Sequence, residues 1–124
     1  MSPLNLKSQP LPAGVLITVT GEIDKTNTEQ LETQIGLSHR HGQPLVLDLS
    51  GTTFMDSRGL HLLLRLHARL CEQAMSLHLA AVHSTPARLM SITGVDDLFA
   101  VHPTPAAAMA AALSEHGIRN GEAE

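Results

Sequence analysis

The stretch "PLVLDLSGTTFMDSRGLHLLLRLHARL" (residues 44–70) holds two periodicities and the junction between them. Leu45–Ser50, LVLDLS, is a short apolar run of the kind found in a strand central in its sheet or covered on both faces. From about Ser57 to Gln73 the apolar residues recur at helical spacing. At 100° per residue, Leu60, Leu63, Leu64, His67, Leu70 and Cys71 share one arc, which is expected to be the core stripe. Arg58, His61, Arg65, Arg69 and Glu72 gather on the opposite side. Leu66 lies on the flank and is expected to pack partly under a neighbour. Leu62 projects beside Arg58, Arg65 and Arg69. It is either a scattered surface leucine or an apolar spot, rimmed by arginines, for a partner protein. His67 reads as a packed or hydrogen-bonded histidine and Cys71 as a buried helix residue without a redox role.

At the junction, Asp56 or Ser57 occupies the N-cap position, and both residue types cap well. Gly59 is expected to permit a tight strand-to-helix turn. A hydroxyl at a helix N-terminus faces free backbone N–H groups and the positive end of the helix dipole. A phosphate attached there adds roughly −1.5 to −2 of charge without unfolding the helix. Such a change is able to abolish docking of a partner while leaving the fold intact; the simpler reading of the same residues is capping alone.

Outward from this stretch, strands and helices alternate. Val15–Thr20 (VLITVT) reads as a strand ending at Gly21. Thr26 or Asn27 caps a helix with Leu31 and Ile35 on one face. Ser76–Val82 is a further strand. Ser84 or Thr85 caps the next helix, with Pro86 in its first turn and Gly94 past its end. Phe99–His102 is a short candidate strand. Thr104 caps a last, alanine-rich helix that starts at Pro105 and stops at Gly117. This order implies an α/β domain with a mixed, mostly parallel sheet of four to five strands and about four helices packed on it. The chain has 124 residues, so residues 1–124 are expected to form a single domain, with an ordered core at about 4–117 and a frayed tail at 118–124.

Composition narrows the function. Hydrophobic residues make up 43% of the chain, with two Phe and no Trp or Tyr. The core must therefore be aliphatic, and base-stacking surfaces for single-stranded nucleic acid are not expected. The net charge of −4 and the lack of a basic window argue against nucleic-acid or anionic-membrane partners. No apolar run is long enough for a membrane span, and the N-terminus lacks signal-peptide character. The single cysteine excludes an internal disulfide, and a cytoplasmic location is expected. His39, His41, His61 and His67 do not converge as zinc ligands, so no metal or other cofactor is expected. Ser57 lacks the Gly-x-Ser-x-Gly elbow of a hydrolase, so the chain reads as a non-enzyme.

FMDSRGL (residues 54–60) resembles the signature of STAS domains, specifically the small bacterial anti-sigma factor antagonists. GEIDKTNTEQL (residues 21–31), the strand, loop and helix around FMDSRGL, and TPARLMSITGVDDLF (residues 85–99) are similar to further segments of that family, in the same order. The resemblance implies the STAS fold and a partner-switching role in transcription regulation. An antagonist of this kind binds an anti-sigma factor that is also an ATP-dependent serine kinase, and so frees a sigma factor. The kinase phosphorylates the antagonist and is released; a phosphatase resets the cycle. By match to the motif, Ser57 is the phosphoacceptor, Asp56 its acidic neighbour, and Asp24 an acid near the same surface. The implied docking face combines Asp24 and Thr26 with Asp56, Ser57, Arg58, His61, Leu62 and Arg65. Arg58 departs from the family, which usually has Ser, Thr or Ala there. Its guanidinium can pair with a phosphate on Ser57 or with Asp24, clash with the partner, or select a different one. The alternative is a constitutive STAS subunit, in a lipid-transport ATPase or a stress-signalling scaffold, in which Ser57 only caps. Self-association through Leu62 and Leu66 also remains open, and a nucleotide-binding STAS domain is disfavoured by the lack of a Gly-rich phosphate loop.

Overall fold

The computed structural model describes residues 3–119, with side chains described up to Glu115. Five strands form one sheet in the order β1-β2-β3-β4-β5. They are β1 (Asn5–Leu11), β2 (Gly14–Ile23), β3 (Leu45–Met55), β4 (Leu77–Ala80) and β5 (Ala100–His102). The helices are α1 (Thr28–Ser38), α2 (Ser57–Glu72), α3 (Ser84–Thr93) and α4 (Pro105–Arg119). β1 and β2 form an antiparallel hairpin, whereas β2, β3, β4 and β5 pair in parallel. Each parallel step is bridged by a helix, as parallel neighbours require. The mixed, mostly parallel α/β sheet read from the sequence is the sheet observed.

Two cores lie on the two faces of the sheet. One joins Ile17, Val19, Leu47, Leu49, Leu77 and Leu79 to residues of α1, α2 and α3. The other is smaller and pairs Leu16, Val46 and Ala80 with Ala108 and Ala112 of α4. β3 is central, and Leu45, Val46, Leu47 and Leu49 are each no more than 1% exposed. That is the burial its continuous apolar pattern demands.

Several elements differ from the sequence reading: β2 does not end at Gly21 but runs on to Ile23, and β4 is confined to Leu77–Ala80 within the expected Ser76–Val82. β1 was not anticipated, because its polar residues and Pro10 disguise a strand; Pro10 is accommodated because β1 is an edge. β3 runs past Ser50 to Met55, continuing after a register shift against β2. α4 does not stop at Gly117 but reaches Arg119; the rest of the expected tail, residues 120–124, lies outside the described residues. Gly94 does close α3 in the left-handed conformation, and the Thr104 hydroxyl does cap α4 through the Ala107 N–H at 3.1 Å. At α3 the cap position falls to His83 rather than Ser84 or Thr85, with no side-chain cap bond. Among the described residues no helix is long and apolar enough to cross a membrane.

Candidate functional site

β2 and β3 are parallel and in register at their ends, Ile23 opposite Met55. Both chains therefore leave the sheet at the same edge. The Asp56 N–H donates to the Ile23 carbonyl at 3.2 Å, which fixes the two exits beside each other. This pairing brings the loop Asp24–Asn27 next to the first turn of α2.

The loop is held by its own polar groups. The Asp24 carboxylate accepts from the Thr26 N–H at 2.8 Å and from the Thr26 hydroxyl. The Thr26 hydroxyl and N–H hold the Asp24 carboxyl below the usual carboxylate range. Asn27 sits at the N-cap position of α1 but does not cap it. Its side chain accepts from the Asp24 N–H at 3.0 Å and donates to the Glu22 carbonyl at 2.7 Å. Gly21, which opens this segment, has φ +114°, and a Cβ there would meet the Pro3 carbonyl oxygen at 2.5 Å. The GEID stretch thus starts on a residue that only glycine can fill comfortably.

On α2 the cap is Asp56 rather than Ser57. Its carboxylate accepts from the N–H groups of Arg58 at 2.9 Å and Gly59 at 3.2 Å. Ser57 is the first helical residue and is exposed. The cap therefore does not use the Ser57 hydroxyl. Arg58, His61 and Arg65 are exposed on the same helix. Arg58 takes part in no ion pair among the described residues, so of the options open to it the pairing with Asp24 is not formed. Arg65 does: with Arg69 it grips Glu32 of α1, at 3.1 and 2.6 Å. Burial works to raise the Glu32 carboxyl, and the two guanidinium groups outweigh it, leaving it below its ordinary value.

Leu62 does not belong to the exposed face. It is fully buried, as Leu66 nearly is. Both join the core with Leu31 and Ile35 of α1. α1 covers the flank on which Leu62 lies, and the Glu32 pairs with Arg65 and Arg69 stitch the two helices along it. The stripe is correspondingly rotated: Leu64 is half-buried and Cys71 is exposed, not buried as anticipated. His67 is half-buried edge-on to Phe99, ring centroids 5.7 Å apart, with its Nε2 3.5 Å from Cys71 Sγ.

Gly59 has a different task from the one expected of it. Its backbone is ordinary helix, but a Cβ there would stand 2.7 Å from Met55 Cγ and 2.8 Å from Ile23 Cγ2. Glycine lets the first turn of α2 lie directly on the strand ends, so Ser57 and the Asp24 loop share one surface. Phe54, 38% exposed just before the junction, is a neighbour that the helical periodicity of α2 had no means of flagging. A cleft of about 430 Å³, lined by residues including Ser8, Leu11, Ser38 and Arg40, lies by the β1–β2 turn at the far end of the sheet. The Ser57 region is an exposed surface formed by the strand ends and the first turn of α2.

Comparison with known proteins places the fold. Residues 5–108 match the STAS domain family. The anti-sigma-F factor antagonist RsfA of Mycobacterium tuberculosis is 28% identical over 102 residues, covering 80% of each chain. An anti-sigma factor antagonist from Mycobacterium paratuberculosis superposes with a TM-score of 0.78 at 27% identity, over 90% of this chain and 95% of that one. A protein from Thermotoga maritima shares the fold alone, with a TM-score of 0.79 at 15% identity over 87% and 94% of the two chains. With its five-stranded mixed sheet, its helices and a family match across most of its length, the chain belongs to the STAS domain family.

Proposed function

We propose that this protein is an anti-sigma factor antagonist, which binds an anti-sigma factor with serine kinase activity and is switched off by phosphorylation of Ser57. The observation that carries the reading is the division of labour at the start of α2. Asp56 supplies the cap, so the Ser57 hydroxyl is exposed and open to modification without loss of a structural bond. The mycobacterial antagonists to which the chain is similar support the same class of partner.

The docking face gathers Asp24, Thr26, Asp56, Ser57, Arg58, His61 and Arg65, with Leu62 excluded by its burial. A phosphate on Ser57 meets a crowded electrostatic setting. The Arg58 and Gly59 N–H groups are already taken by Asp56. The phosphate therefore projects outward beside the Asp56 carboxylate, and a surface that fits the unmodified partner is lost to repulsion. Arg58 is the uncommitted cation of this face, so it contacts either the phosphate or a carboxylate of the partner.

The test is intact-mass and peptide mass spectrometry after incubation with ATP and the host's candidate anti-sigma kinases. One added phosphate mapping to Ser57 is the expected result. No phosphate, with the kinases active on another substrate, replaces the switch by a constitutive STAS contact in which Arg58 is a fixed anchor. Resetting by a phosphatase is then tested on the same phosphorylated protein.

A further inference from the structure

The α4 face of the sheet carries a polar cluster that the docking face does not use. His78 of β4 is 3% exposed. Its ring is stacked on that of His102 of β5, centroids 5.3 Å apart, with His78 Nδ1 3.1 Å from His102 Nε2. The other nitrogen, His78 Nε2, is 3.1 Å from Glu115 of α4. Glu115 also accepts from the Ser76 N–H at 3.0 Å and the Ser76 hydroxyl at 2.8 Å. The fully buried apolar side chains that α4 sets beside this cluster are small, Ala108 and Ala112, with Met109 packed at the edge. The polar contacts thus add a second tie between α4, β4 and β5.

The hydrogen positions follow from the partners. The carboxylate only accepts, so His78 Nε2 donates to Glu115. A neutral His78 then has a lone pair on Nδ1, and His102 Nε2 must donate to it. One extra proton on the pair is tolerated, because a single N–H still lies between the two rings, donated from either side. A second extra proton is not, because two N–H groups then point at each other across 3.1 Å, between stacked cations.

We propose that the His78–His102–Glu115 cluster is an acid-released clasp, which fastens α4 and β5 to the sheet at neutral pH and frees them on acidification while the α1–α3 side stays folded. Burial, and then the charge of His78, lower the affinity of His102 for a proton. Burial works to raise the Glu115 carboxyl, but Ser76 and His78 together hold it below its ordinary value. Both shifts have the same sign: at His102 and Glu115 the folded protein binds fewer protons than the unfolded chain. The His102 contribution is full above the ordinary histidine range and is lost as pH falls through its lowered value, whereas the Glu115 contribution is lost only below the ordinary glutamate range. Among the described residues, the charged groups that face the clasp are its own three and the carboxylate of Asp48, which is diagonal to His78 through the Val46–His78 pairing; Lys7 of β1 lies on the same face, four strands from His102. In the strand register Asp48 lies two strands from His102 across Ala80, about 10 Å at ordinary strand spacing. At that distance Asp48 does not replace the contact that the second proton breaks.

Hydrogen exchange of the full chain, read by mass spectrometry and corrected for intrinsic rates, tests the clasp from about pH 7.5 to about pH 5, where histidine titrates. Protection of α4 and β5 is expected to fall at least about tenfold, while β3 and α2 hold. His102→Gln keeps an N–H donor for His78 but does not titrate, and is expected to lose this pH dependence. An unchanged pH profile in His102→Gln, a uniform loss across all elements, or no loss in α4 overturns the proposal. Imidazole nitrogen NMR on the unmutated protein gives a readout that no variant can confound. His78 is expected as the Nε2–H tautomer at neutral pH, and two histidines titrating independently at ordinary values also overturn the clasp.

Discussion

The Asp56 N–H is bound to the Ile23 carbonyl at 3.2 Å, so the Asp24 loop and the α2 helix start as neighbours although 32 residues separate Asp24 from Asp56. Asp56 then turns its carboxylate onto the Arg58 and Gly59 N–H groups. One residue thus ties the helix start to the sheet and caps it, and the next is left exposed. From this follows a separation of roles. Asp56→Ala is expected to lose about 1 kcal/mol of stability, the usual value of a cap. Ser57→Ala is expected to stay within about 0.5 kcal/mol of the parent, as surface substitutions do. Urea denaturation of both variants checks this; a larger loss in Ser57→Ala would show the hydroxyl to be structural.

Docking is expected to respond in the opposite way. Ser57→Asp places a negative charge beside Asp56 and is expected to weaken binding of the anti-sigma kinase at least tenfold, about 1.4 kcal/mol. Ser57→Ala is expected to bind and to resist inactivation by ATP. Calorimetry with the kinase identified by phosphorylation measures both, and equal affinities for the parent and Ser57→Asp would remove the switch.

The rotated stripe of α2 gives a direct contrast. Leu62 has no exposed surface, so Leu62→Ala is expected to cost about 2–5 kcal/mol through lost burial and a residual cavity. Leu64→Ala, at a half-buried position, is expected to cost less. The reading of Leu62 as a surface contact predicts the reverse order, and two denaturation curves distinguish them.

These leucines also mark where the sequence stops being legible. Leu60, Leu62, Leu63, Leu64, Leu66 and Leu70 spread around more than half of the helix. Periodicity therefore left the centre of the buried stripe undetermined, and it is α1, through Leu31, Ile35 and Glu32, that fixes it. No pattern within α2 contains that information. β1 was hidden for another reason: as an edge strand with one face only partly covered, it needs few apolar residues and tolerates Pro10. The continuation of β3 through SGTTFM was hidden by glycine and threonines that read as a loop, yet Thr52 is buried with its hydroxyl on the Val19 carbonyl at 2.8 Å. By contrast, the strand–helix order and the glycine end of α3 were legible because each depends on neighbours in sequence. The Asp24–Ser57 surface was reached through family resemblance; its physical cause, the parallel pairing of β2 with β3, is a long-range fact.

The Glu32 pairs set a limit on surface electrostatics. Arg65 and Arg69 are each about half exposed at their side chains, and Glu32 is one-third exposed. Glu32→Gln is therefore expected to cost no more than about 1 kcal/mol. The Glu32 carboxyl is lowered in the folded state, so its contribution is present above the ordinary glutamate range and is lost as pH falls through the folded value. Denaturation midpoints of the parent and the variant are expected to converge at acid pH, and a constant difference would assign the effect to packing instead.

Gly59 provides the strictest test of how the site is built. A methyl group there would come within 2.7 Å of Met55 Cγ and 2.8 Å of Ile23 Cγ2. Alanine has the better helix propensity, by roughly 1 kcal/mol, so an isolated helix would gain from Gly59→Ala. In the protein the gain is opposed by overpacking, typically about 1–3 kcal/mol. Ile23 is buried and fixed in the sheet, whereas the Met55 side chain is flexible. The clash with Ile23 therefore decides the sign, and Gly59→Ala is expected to destabilise. Ile23→Ala removes Cγ2, the clashing atom itself, and is expected to recover part of the loss when combined with Gly59→Ala, although alone it costs about 2–5 kcal/mol. A double-mutant cycle in urea measures that coupling. Strict additivity would mean that Gly59 serves only the local backbone, and that the closeness of α2 to the Asp24 loop rests on something other than its missing side chain.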